Sequence, residues 1–377
     1  MVRAVLSALV GLLVLAALLT WAYRRLAVAT DLAPRGRRVV LGVLLGGVAV
    51  FVVGAALLRR GDPEVTRPFV WLGMTAIAVG LYLALGLAAL AVAALALRLA
   101  ARPEARRRLL RLVTPAVVAL ALAVTMYGVV AATRPGVETS EVRSEALPAD
   151  LDGLRIALVT DLHVGALHDA GWTRRVVRLV EQQDPDLVVL GGDLVDGSPD
   201  DVAPYLNALT DLDPPLGVVG VIGNHELLGG VDEAQEWIAA YEQRGVDVLG
   251  NASVEVAPGL TVAGVHDATG TGVLEPDPGA ALAGVDPDDF LLYVAHEPRQ
   301  AHDLPRDSGV DLVLSGHTHG GQLWPVHLLA ALADPVVAGQ GVVDGVPIVV
   351  SRGVGTSGPP VRVLAPAQVD VVVLRRS

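Results

Sequence analysis

The sequence predicts an N-terminal region of four transmembrane helices followed by an α/β domain. Four apolar stretches without charged residues fill the first third of the 377-residue chain, and short β-like runs alternate with amphipathic segments afterwards. The charge changes at the same boundary, since 16 Arg and 4 acidic residues precede residue 135, whereas 12 basic and 36 acidic residues follow. We therefore divide the chain into a membrane region, 1–134, a linker, 135–153, and a soluble domain, 154–377.

Each apolar stretch is long enough to cross a membrane as a helix. About 20 apolar residues span ~30 Å of hydrocarbon. The four stretches run from Ala4 to Tyr23, from Val39 to Leu58, from Phe69 to Leu97 and from Leu112 to Ala132. The exit of the first stretch, Leu19–Tyr23, lacks the small-x-small pattern of a cleavage site, so we expect this helix to be retained.

Arginine counts in the short loops predict the orientation of the membrane region. The loops after the first and third stretches hold 11 Arg, whereas the loop between the second and third holds 3. Because positively charged loops remain in the cytoplasm, we expect a multi-pass protein of the cell membrane with its soluble domain outside the cytoplasm. The helices carry no ionisable residue deep within them, which favours an anchor over an ion path.

Charge and cysteine usage limit the chemistry of the soluble domain. Its acidic balance argues against nucleic acid as a partner, because binding phosphates requires a basic face. The chain has no Cys, which excludes disulfides and thiolate metal ligands. Any metal site must therefore use nitrogen and oxygen ligands.

Two amphipathic segments support the α/β prediction. Gly171 to Gln183 places Trp172, Val176, Leu179 and Val180 on one helical face. Asp232 to Arg244 does the same with Trp237, Ile238 and Tyr241. Strands that alternate with helices of this length are typical of an α/β domain.

Five β-like runs end in residues that bind metals. The residues that follow them are Asp161-Leu162-His163, Gly192-Asp193 with Asp196 further on, Asn224-His225-Glu226, His296, and His317-Thr318-His319. Ligands gather beyond the carboxyl ends of the strands in open α/β sheets, so we expect these side chains to converge at one edge. One such residue alone would be an ordinary helix cap or turn, whereas five in succession indicate a site.

The residue types indicate which metals the site takes. Imidazole combined with carboxylate favours Mn, Fe or Zn over Mg or Ca. Asp193 has two carboxylate oxygens and can bridge two ions. A pair of ions ~3.5–4 Å apart clamps the attacking and leaving oxygens of an in-line displacement.

These motifs in this order resemble the calcineurin-like metallophosphoesterase family, over roughly residues 154–374. The extended Gly316–Gln322 motif, with Ser351–Thr356 and Pro360–Arg362, is similar to its bacterial membrane-associated YkuE/YaeI-like branch. The resemblance implies a four-layer α/β/β/α sandwich and hydrolysis of phosphate mono- or diesters, with lipid-linked or cell-envelope substrates proposed for the branch.

The resemblance also implies roles for individual residues. Two divalent ions (Mn, Zn or Fe) would be held by seven residues, with Asp161, His163 and His319 on the first ion, Asn224, His296 and His317 on the second, and Asp193 on both. His225 would protonate the leaving oxygen or stabilise charge on the phosphoryl group, and Asp196 would orient it.

Several alternatives are open at this stage. Arg352 and Arg362 fit either contact with a substrate phosphate or a local ion pair. His266 stands where the branch commonly has an acidic residue, and fits either the lining of the site or an ordinary loop. An inactive metal- or lipid-sensing membrane protein on the same fold is the main alternative to an enzyme, and a transporter is another. The complete ligand set favours hydrolysis, while the sequence does not identify a protein partner.

Overall fold

The computed structural model describes residues 2–377, apart from the side chains of residues 2–10 and 12. It contains two compact units. The first comprises Met1–Ala55 and Leu72–Tyr127, and the second comprises Ala56–Trp71 and Gly128–Ser377. The segment between the second and third helices therefore belongs to the same unit as the soluble domain.

Long helices dominate the N-terminal region, namely α1 (Val2–Tyr23), α2 (Pro34–Leu57), α3 (Pro63–Leu99) and α4 (Pro103–Ala132). Among the described residues, α2, α3 and α4 are long and apolar enough to cross a membrane. The first predicted span falls on α1, and because the side chains of residues 2–10 and 12 lie outside the described residues, the count of four spans stays a prediction.

Small residues allow the helices of the first unit to pack closely. A Cβ added to Gly73 of α3 would lie 2.8 Å from Gly54 Cα of α2, so only glycine fits this approach of the two backbones. Asp31, between α1 and α2, pairs with Arg111 of α4 at 2.7 Å.

The second unit is built on strands. In chain order they are β1 (Gly136–Ser144), β2 (Arg155–Val159), β3 (Val164–Gly165), β4 (Leu187–Leu190), β5 (Val195–Asp196), β6 (Val218–Gly220), β7 (Val246–Val248), β8 (Ala252–Ala257), β9 (Leu260–Gly264), β10 (Phe290–Val294), β11 (Leu312–Ser315), β12 (Gly339–Val343), β13 (Val346–Val350) and β14 (Gln368–Arg376). One mixed sheet has the order β1-β14-β2-β4-β6-β7, a second has the order β12-β13-β11-β10-β9-β8, and β3 pairs with β5.

Five further helices accompany the strands: α5 (Ala170–Glu181), α6 (Pro199–Val202), α7 (Val231–Glu242), α8 (Pro278–Ala281) and α9 (His327–Ala333). The predicted apolar faces of α5 and α7 are confirmed, since Trp172, Val176, Trp237 and Tyr241 are buried in one core cluster. The prediction of an α/β domain is therefore confirmed.

Alternate residues of the central strands belong to different cores. In β2, Ala157 and Val159 join the cluster that contains α5 and α7. Ile156 and Leu158 join a cluster that also contains Phe290 and other residues of the second sheet. The two sheets thus share one core, as the period-two alternation of a strand requires when both of its faces are buried.

The predicted linker, residues 135–153, contains a strand over Gly136–Ser144. These residues form β1, which pairs in parallel with β14 along its whole length. Only Val142 of this strand is buried, because β1 lies at the edge of the sheet. An edge strand with polar residues on both faces carries no apolar alternation, and the sequence pattern therefore missed it.

The expectation that five strand ends meet at the edge of one sheet is corrected. The relevant ends of β2, β4 and β6 belong to the first sheet, and those of β10 and β11 to the second. Short apolar runs do not reveal which sheet a strand joins, because both sheets contain neighbouring parallel strands.

Candidate metal centre and active site

The residues after β2 and β11 form one compact group. Asp161, His163 and His319 each place a ligand atom within 4.8 Å of the others. The Nε2 atoms of His163 and His319 are 3.0 Å apart, and His319 Nε2 lies 3.3 Å from Asp161 Oδ1. All three residues are buried. The structure thus brings together the residues predicted for the first ion.

A second group is formed by Asp193, His296 and His317. His296 Nε2 lies 3.2 Å from Asp193 Oδ2 and 3.3 Å from His317 Nδ1. Asn224 joins this group, since its Oδ1 is 3.0 Å from His317 Nδ1. Asp193 Oδ2 is also 3.9 Å from His163 Nε2, which places this carboxylate between the two groups.

These distances fit divalent ions with nitrogen and oxygen ligands. Ligand atoms about 2.1 Å from a common ion are about 3.0–3.4 Å apart when adjacent and about 4.2 Å apart when opposite. The adjacent pairs measure 3.0–3.3 Å, and the wider pair of His163 Nε2 and Asp161 Oδ1 measures 4.0 Å. Carboxylate, amide and imidazole together form the donor set expected for Mn, Fe or Zn.

The ring nitrogen that faces away from each group has a defined neighbour. His296 Nδ1–H donates to the Gly191 carbonyl at 2.7 Å, which leaves Nε2 free to bind an ion. His163 Nδ1 lies 3.2 Å from Asp196 Oδ2, and His317 Nε2 lies 4.0 Å from Glu297 Oε2. The bond to Gly191 therefore fixes the orientation and tautomer of the His296 ring.

Five of the predicted ligands have a left-handed backbone. The φ angles are 56° for Asp161, 49° for His163, 52° for Asp193, 68° for His317 and 51° for His319. Each such residue costs about 1–2 kcal/mol when it is not glycine. A strained conformation repeated at one location is typical of a functional site, because the surrounding structure must impose it.

Two glycines make room for these loops. A Cβ on Gly223 would lie 2.3 Å from Asp193 Oδ1, and one on Gly316 would lie 1.9 Å from Thr160 Oγ1. Neither position accepts a side chain without displacing the carboxylate loops. Glycine, which has no Cβ, permits this close approach of the backbone.

His225 contacts Asp196 through Nδ1, as predicted. Burial disfavours the charged ring, but the hydrogen bond and charge of Asp196, with the charges of Asp193 and Glu226, raise the pKa of His225 to about 9. The ring is therefore protonated at neutral pH, as a general acid requires. His225 also belongs with His163 and Asp193 to a group whose ligand atoms lie close enough together to hold one metal ion. Its position therefore fits a metal ligand as well as a general acid.

The two carboxylate oxygens of Asp196 face different imidazole rings. The sequence did not indicate the second of these contacts. Oδ1 contacts His225, while Oδ2 lies 3.2 Å from His163 Nδ1. Burial opposes its ionisation, but the charge and hydrogen bonds of the two histidines lower the pKa of Asp196 below its usual value. One carboxylate thus orients a predicted ligand and the predicted acid.

Asp196→Asn should shift the pH dependence of turnover. Activity that requires protonated His225 is present below a pKa of about 9 and is lost as the pH rises through it. Without the Asp196 charge, the alkaline limb of the kcat–pH profile should move toward the ordinary His value of about 6.5. The measurement is kcat between about pH 6 and pH 10 with Asp213→Asn, an exposed carboxylate, as control. An unmoved limb would disprove the link between this carboxylate and the acid.

Glu226 is an organising residue that sequence reasoning missed. Its buried carboxylate accepts hydrogen bonds from the amides of Gly223 at 2.7 Å, Asp193 at 3.1 Å and Leu194 at 2.7 Å. The Tyr241 hydroxyl donates to it at 2.8 Å. One side chain therefore ties the loop after β4 to the loop after β6. The sequence feature that could have identified Glu226 is its position directly after Asn224 and His225.

Glu226→Ala should lower both stability and metal content. The change leaves three buried amides without an acceptor, which costs about 2–5 kcal/mol in free energy of unfolding. Thermal unfolding of the purified chain, with elemental analysis of bound metal, measures both effects. Glu236→Ala on the exposed side of α7 is the matched control. An unfolding temperature equal to that of the control would show that the carboxylate does not organise the loops.

Arg362 fits neither of the roles left open for it. Its guanidinium is fully buried and donates to backbone carbonyls, including those of Gly355 at 2.7 Å, Arg352 at 2.7 Å and Ala365 at 3.1 Å. Its Nη2 also lies 3.1 Å from His319 Nδ1. The side chain is therefore a structural support beside the first group. Arg352 Nη1 donates to Gln368 Oε1 at 2.7 Å.

Comparison with known proteins gives similar sequences from bacteria to animals. The chain is 33% identical over 244 residues to an uncharacterized metallophosphoesterase of Aquifex aeolicus, covering 63% of this chain and 91% of that protein. It is 28% identical over 252 residues to YkuE of Bacillus subtilis, an uncharacterized metallophosphoesterase, covering 63% of this chain and 86% of that one.

A zebrafish protein named transmembrane protein with metallophosphoesterase domain is 30% identical over 285 residues. The match covers 72% of this chain but 63% of the zebrafish protein, so the chain spans less than two thirds of that relative. The family profile for calcineurin-like phosphoesterase matches residues 154–321, which include each of the acidic, amide and imidazole residues in the two groups. The chain belongs to the calcineurin-like metallophosphoesterase family.

Proposed function

We propose that this chain is a membrane-anchored hydrolase of phosphate mono- or diesters that uses two divalent ions, chosen from Mn, Zn and Fe. The observation that carries the proposal is the pair of ligand groups with Asp193 between them. Asp161, His163 and His319 would hold one ion, and Asn224, His296 and His317 the other. The proposal includes four spans and a four-layer α/β/β/α domain, which the core shared by the two sheets supports.

The side chains supply the proton transfer and the positioning. When bound, the two ions would supply Lewis-acid polarisation of the phosphoryl oxygens. His225, protonated at neutral pH, donates a proton to the leaving oxygen while Asp196 holds its Nδ1. Burial opposes the ionisation of Asp193, but the nearby His296, His225 and His163 lower its pKa well below the usual value. The carboxylate that would bridge the ions is therefore ionised.

Turnover of simple aryl esters tests this function. The purified full-length chain, stripped with a chelator and reloaded with Mn, Zn or Fe, is given bis(4-nitrophenyl) phosphate and 4-nitrophenyl phosphate in parallel. We expect hydrolysis that depends on added metal, and the ratio of the two rates separates a diesterase from a monoesterase. A metal-loaded chain that hydrolyses neither ester would favour the inactive metal- or lipid-sensing alternative.

The proposed substrates are lipid-linked or cell-envelope phosphoesters at the outer face of the membrane. Two of the three arginines between the second and third apolar stretches support this sidedness through their contacts. Arg59 pairs with Glu233 and Arg67 with Asp169, both at 2.8 Å. Both arginines therefore contact the soluble domain, which favours placing this short segment on the same side of the membrane as that domain.

A reporter fusion tests the sidedness. We expect a phosphatase reporter, active only outside the cytoplasm, to be active when it is fused after Ser377. A reporter that is active only in the cytoplasm should be silent at the same position. A reporter in the loop between α3 and α4, which holds Arg102, should give the opposite pair of results. Activity of only the cytoplasmic reporter after Ser377 would contradict an extracytoplasmic active site.

A further inference from the structure

An exposed apolar surface lies close to the candidate metal centre. It consists of Trp324, three leucines of α9 (Leu328, Leu329 and Leu332) and Leu364, and we call it the apolar lip. Trp324 is 47% exposed and Leu332 is 84% exposed. The segment from Leu323 to Ala333 contains no Asp, Glu, Lys or Arg. Contiguous apolar surface of this kind marks a contact site in a folded protein.

Hydrogen bonds connect the lip to the first ligand group. The Trp324 amide donates to the Val363 carbonyl at 3.1 Å, and the Val363 amide donates to the Gln322 carbonyl at 2.9 Å. These bonds join the two segments of the lip. Arg362, two residues before Leu364, lies 3.1 Å from His319 Nδ1 through its Nη2. The lip and the metal ligands are therefore parts of one local structure.

The same segment contacts the end of a candidate membrane span. The Arg362 amide donates to the Gly128 carbonyl at 2.9 Å. A Cβ on Gly128 would lie 2.4 Å from Val361 Cγ1, so Val361 packs directly on the helix. Gly128 lies in the last two turns of α4, which is apolar and long enough to cross a membrane. The end of a span lies at the level of the lipid headgroups.

We infer that the apolar lip inserts into the membrane surface beside the end of α4 and keeps the metal centre at the level of the headgroups. Val361 contacts Gly128 near the end of α4, and Leu364 of the lip follows three residues later in the chain. This connection to a candidate membrane span favours a lipid surface as the partner of the lip. An exposed Trp next to leucines is the composition that favours the interfacial zone of a bilayer. The lip gives substrates in the bilayer a direct route to the site. The contact between the lip and the membrane does not depend on turnover.

Depth-dependent fluorescence quenching tests the insertion. The chain has no Cys, so Leu332→Cys and Ala146→Cys each carry one attachment site for an environment-sensitive dye. Ala146 is exposed just beyond β1, whose nine residues extend up to about 30 Å from α4. Each full-length variant is reconstituted into phosphatidylcholine vesicles with and without brominated acyl chains.

We expect brominated lipid to reduce the emission at position 332 at least about twofold and to leave position 146 nearly unchanged. Equal, weak quenching at both positions would overturn the inference. So would a dye at position 332 that is shielded from water but not quenched by lipid, because a protein partner or a second copy would then cover the lip. Failure of the same samples to hydrolyse an aryl diester would refute the proposed function without affecting the quenching result.

A separate observation concerns Arg59, two residues beyond α2. Its guanidinium donates to the His225 carbonyl at 3.3 Å and to the Gly197 carbonyl at 3.2 Å. Glu233 Oε1 accepts from it at 2.8 Å. Gly197 directly follows Asp196. One side chain from the loop between two membrane helices therefore holds both backbone segments of the predicted acid and its carboxylate partner.

We propose that Arg59 is a positioning residue for His225. This proposal rests on the proposed function, in which His225 donates the proton. The planar guanidinium of Arg59 donates to two carbonyls and one carboxylate at the same time. The ammonium group of a lysine cannot reproduce this geometry. Loss of these guanidinium hydrogen bonds lets the His225 segment shift relative to Asp196 while leaving the metal-ligand groups in place.

The test is a comparison of Arg59→Gln with Arg60→Gln in the full-length chain, since Arg60 is exposed in the same loop. We expect Arg59→Gln alone to lower kcat for an aryl diester on the order of 10- to 100-fold, with KM and bound metal unchanged. Arg59→Lys should recover only part of the loss. In a His225→Ala background, Arg59→Gln should have no additional effect.

Three results would overturn this role. They are loss of metal in Arg59→Gln, an equal loss of kcat in Arg60→Gln, and an undiminished effect of Arg59→Gln when His225 is already absent. Turnover by the unchanged chain separates them from failure of the proposed function, because an inactive parent protein refutes that function directly.

Discussion

Asp193→Asn should abolish measurable turnover and lower the metal content from two ions toward one or none per chain. The Asp193 carboxylate is the group shared by the two ligand groups, with its Oδ2 at 3.2 Å from His296 Nε2 and 3.9 Å from His163 Nε2. Asparagine keeps the size of the side chain but supplies one neutral oxygen. A neutral amide neither bridges two cations nor offsets their mutual repulsion.

Elemental analysis of the purified variant measures this effect, together with a sensitive assay on an aryl diester. Asp200→Asn is a suitable control, because it removes the same charge from an exposed position seven residues away. Both variants should fold, since the Asp193 amide still donates to Glu226. Two bound ions per chain in Asp193→Asn would disprove the bridging role, and retained turnover would disprove the need for it.

His225→Ala should lower kcat by a factor on the order of 10²–10⁴ while leaving both ions bound. The ring contacts Asp196 through Nδ1, and its Nε2 lies 3.8 Å from Asp193 Oδ2. The raised pKa of about 9 keeps the ring protonated, and a protonated ring donates a proton but does not bind a cation. The loss should be smaller for an ester whose leaving group is a good phenolate, because such a group needs less protonation.

The alternative role makes a distinct prediction for the same variant. His225 forms a group of metal-binding size with His163 and Asp193, so a ligand role predicts the loss of one ion. Metal analysis beside His302→Ala, an exposed histidine paired with Asp344, therefore decides between acid and ligand. A reduced metal content in His225→Ala alone would assign the residue to the metal centre.

Residue type and position predicted the site because strand ends place side chains reliably. Asp161 and Asp193 follow buried strands that pair in parallel, so their meeting follows from β2 and β4 being neighbours. His296 and His319 come from the other sheet, and their approach depends on how the two sheets pack. Local sequence contains no information about that packing, whereas the resemblance to a known family does.

Other contacts had no local signal. The bond from Arg59 to His225 joins residues 166 positions apart, and the loop between two apolar helices gives no pattern that predicts it. The same holds for Asp196, whose second oxygen faces His163 across two loops. Such contacts depend on the completed fold. Arginine counts in a loop predict orientation alone, although an arginine such as Arg59 also contacts the soluble domain.

The junction between α4 and β1 limits how far the second unit's first strand lies from the end of the helix. Only Thr133, Arg134 and Pro135 separate the last residue of the helix from the first residue of the strand. Three residues extend at most about 10 Å, whereas a flexible linker of 20 residues would allow about 65 Å. Under the proposed function, a site held this closely would stay near the membrane plane. It would meet substrates that diffuse laterally within the membrane, and it would not search the surrounding solution.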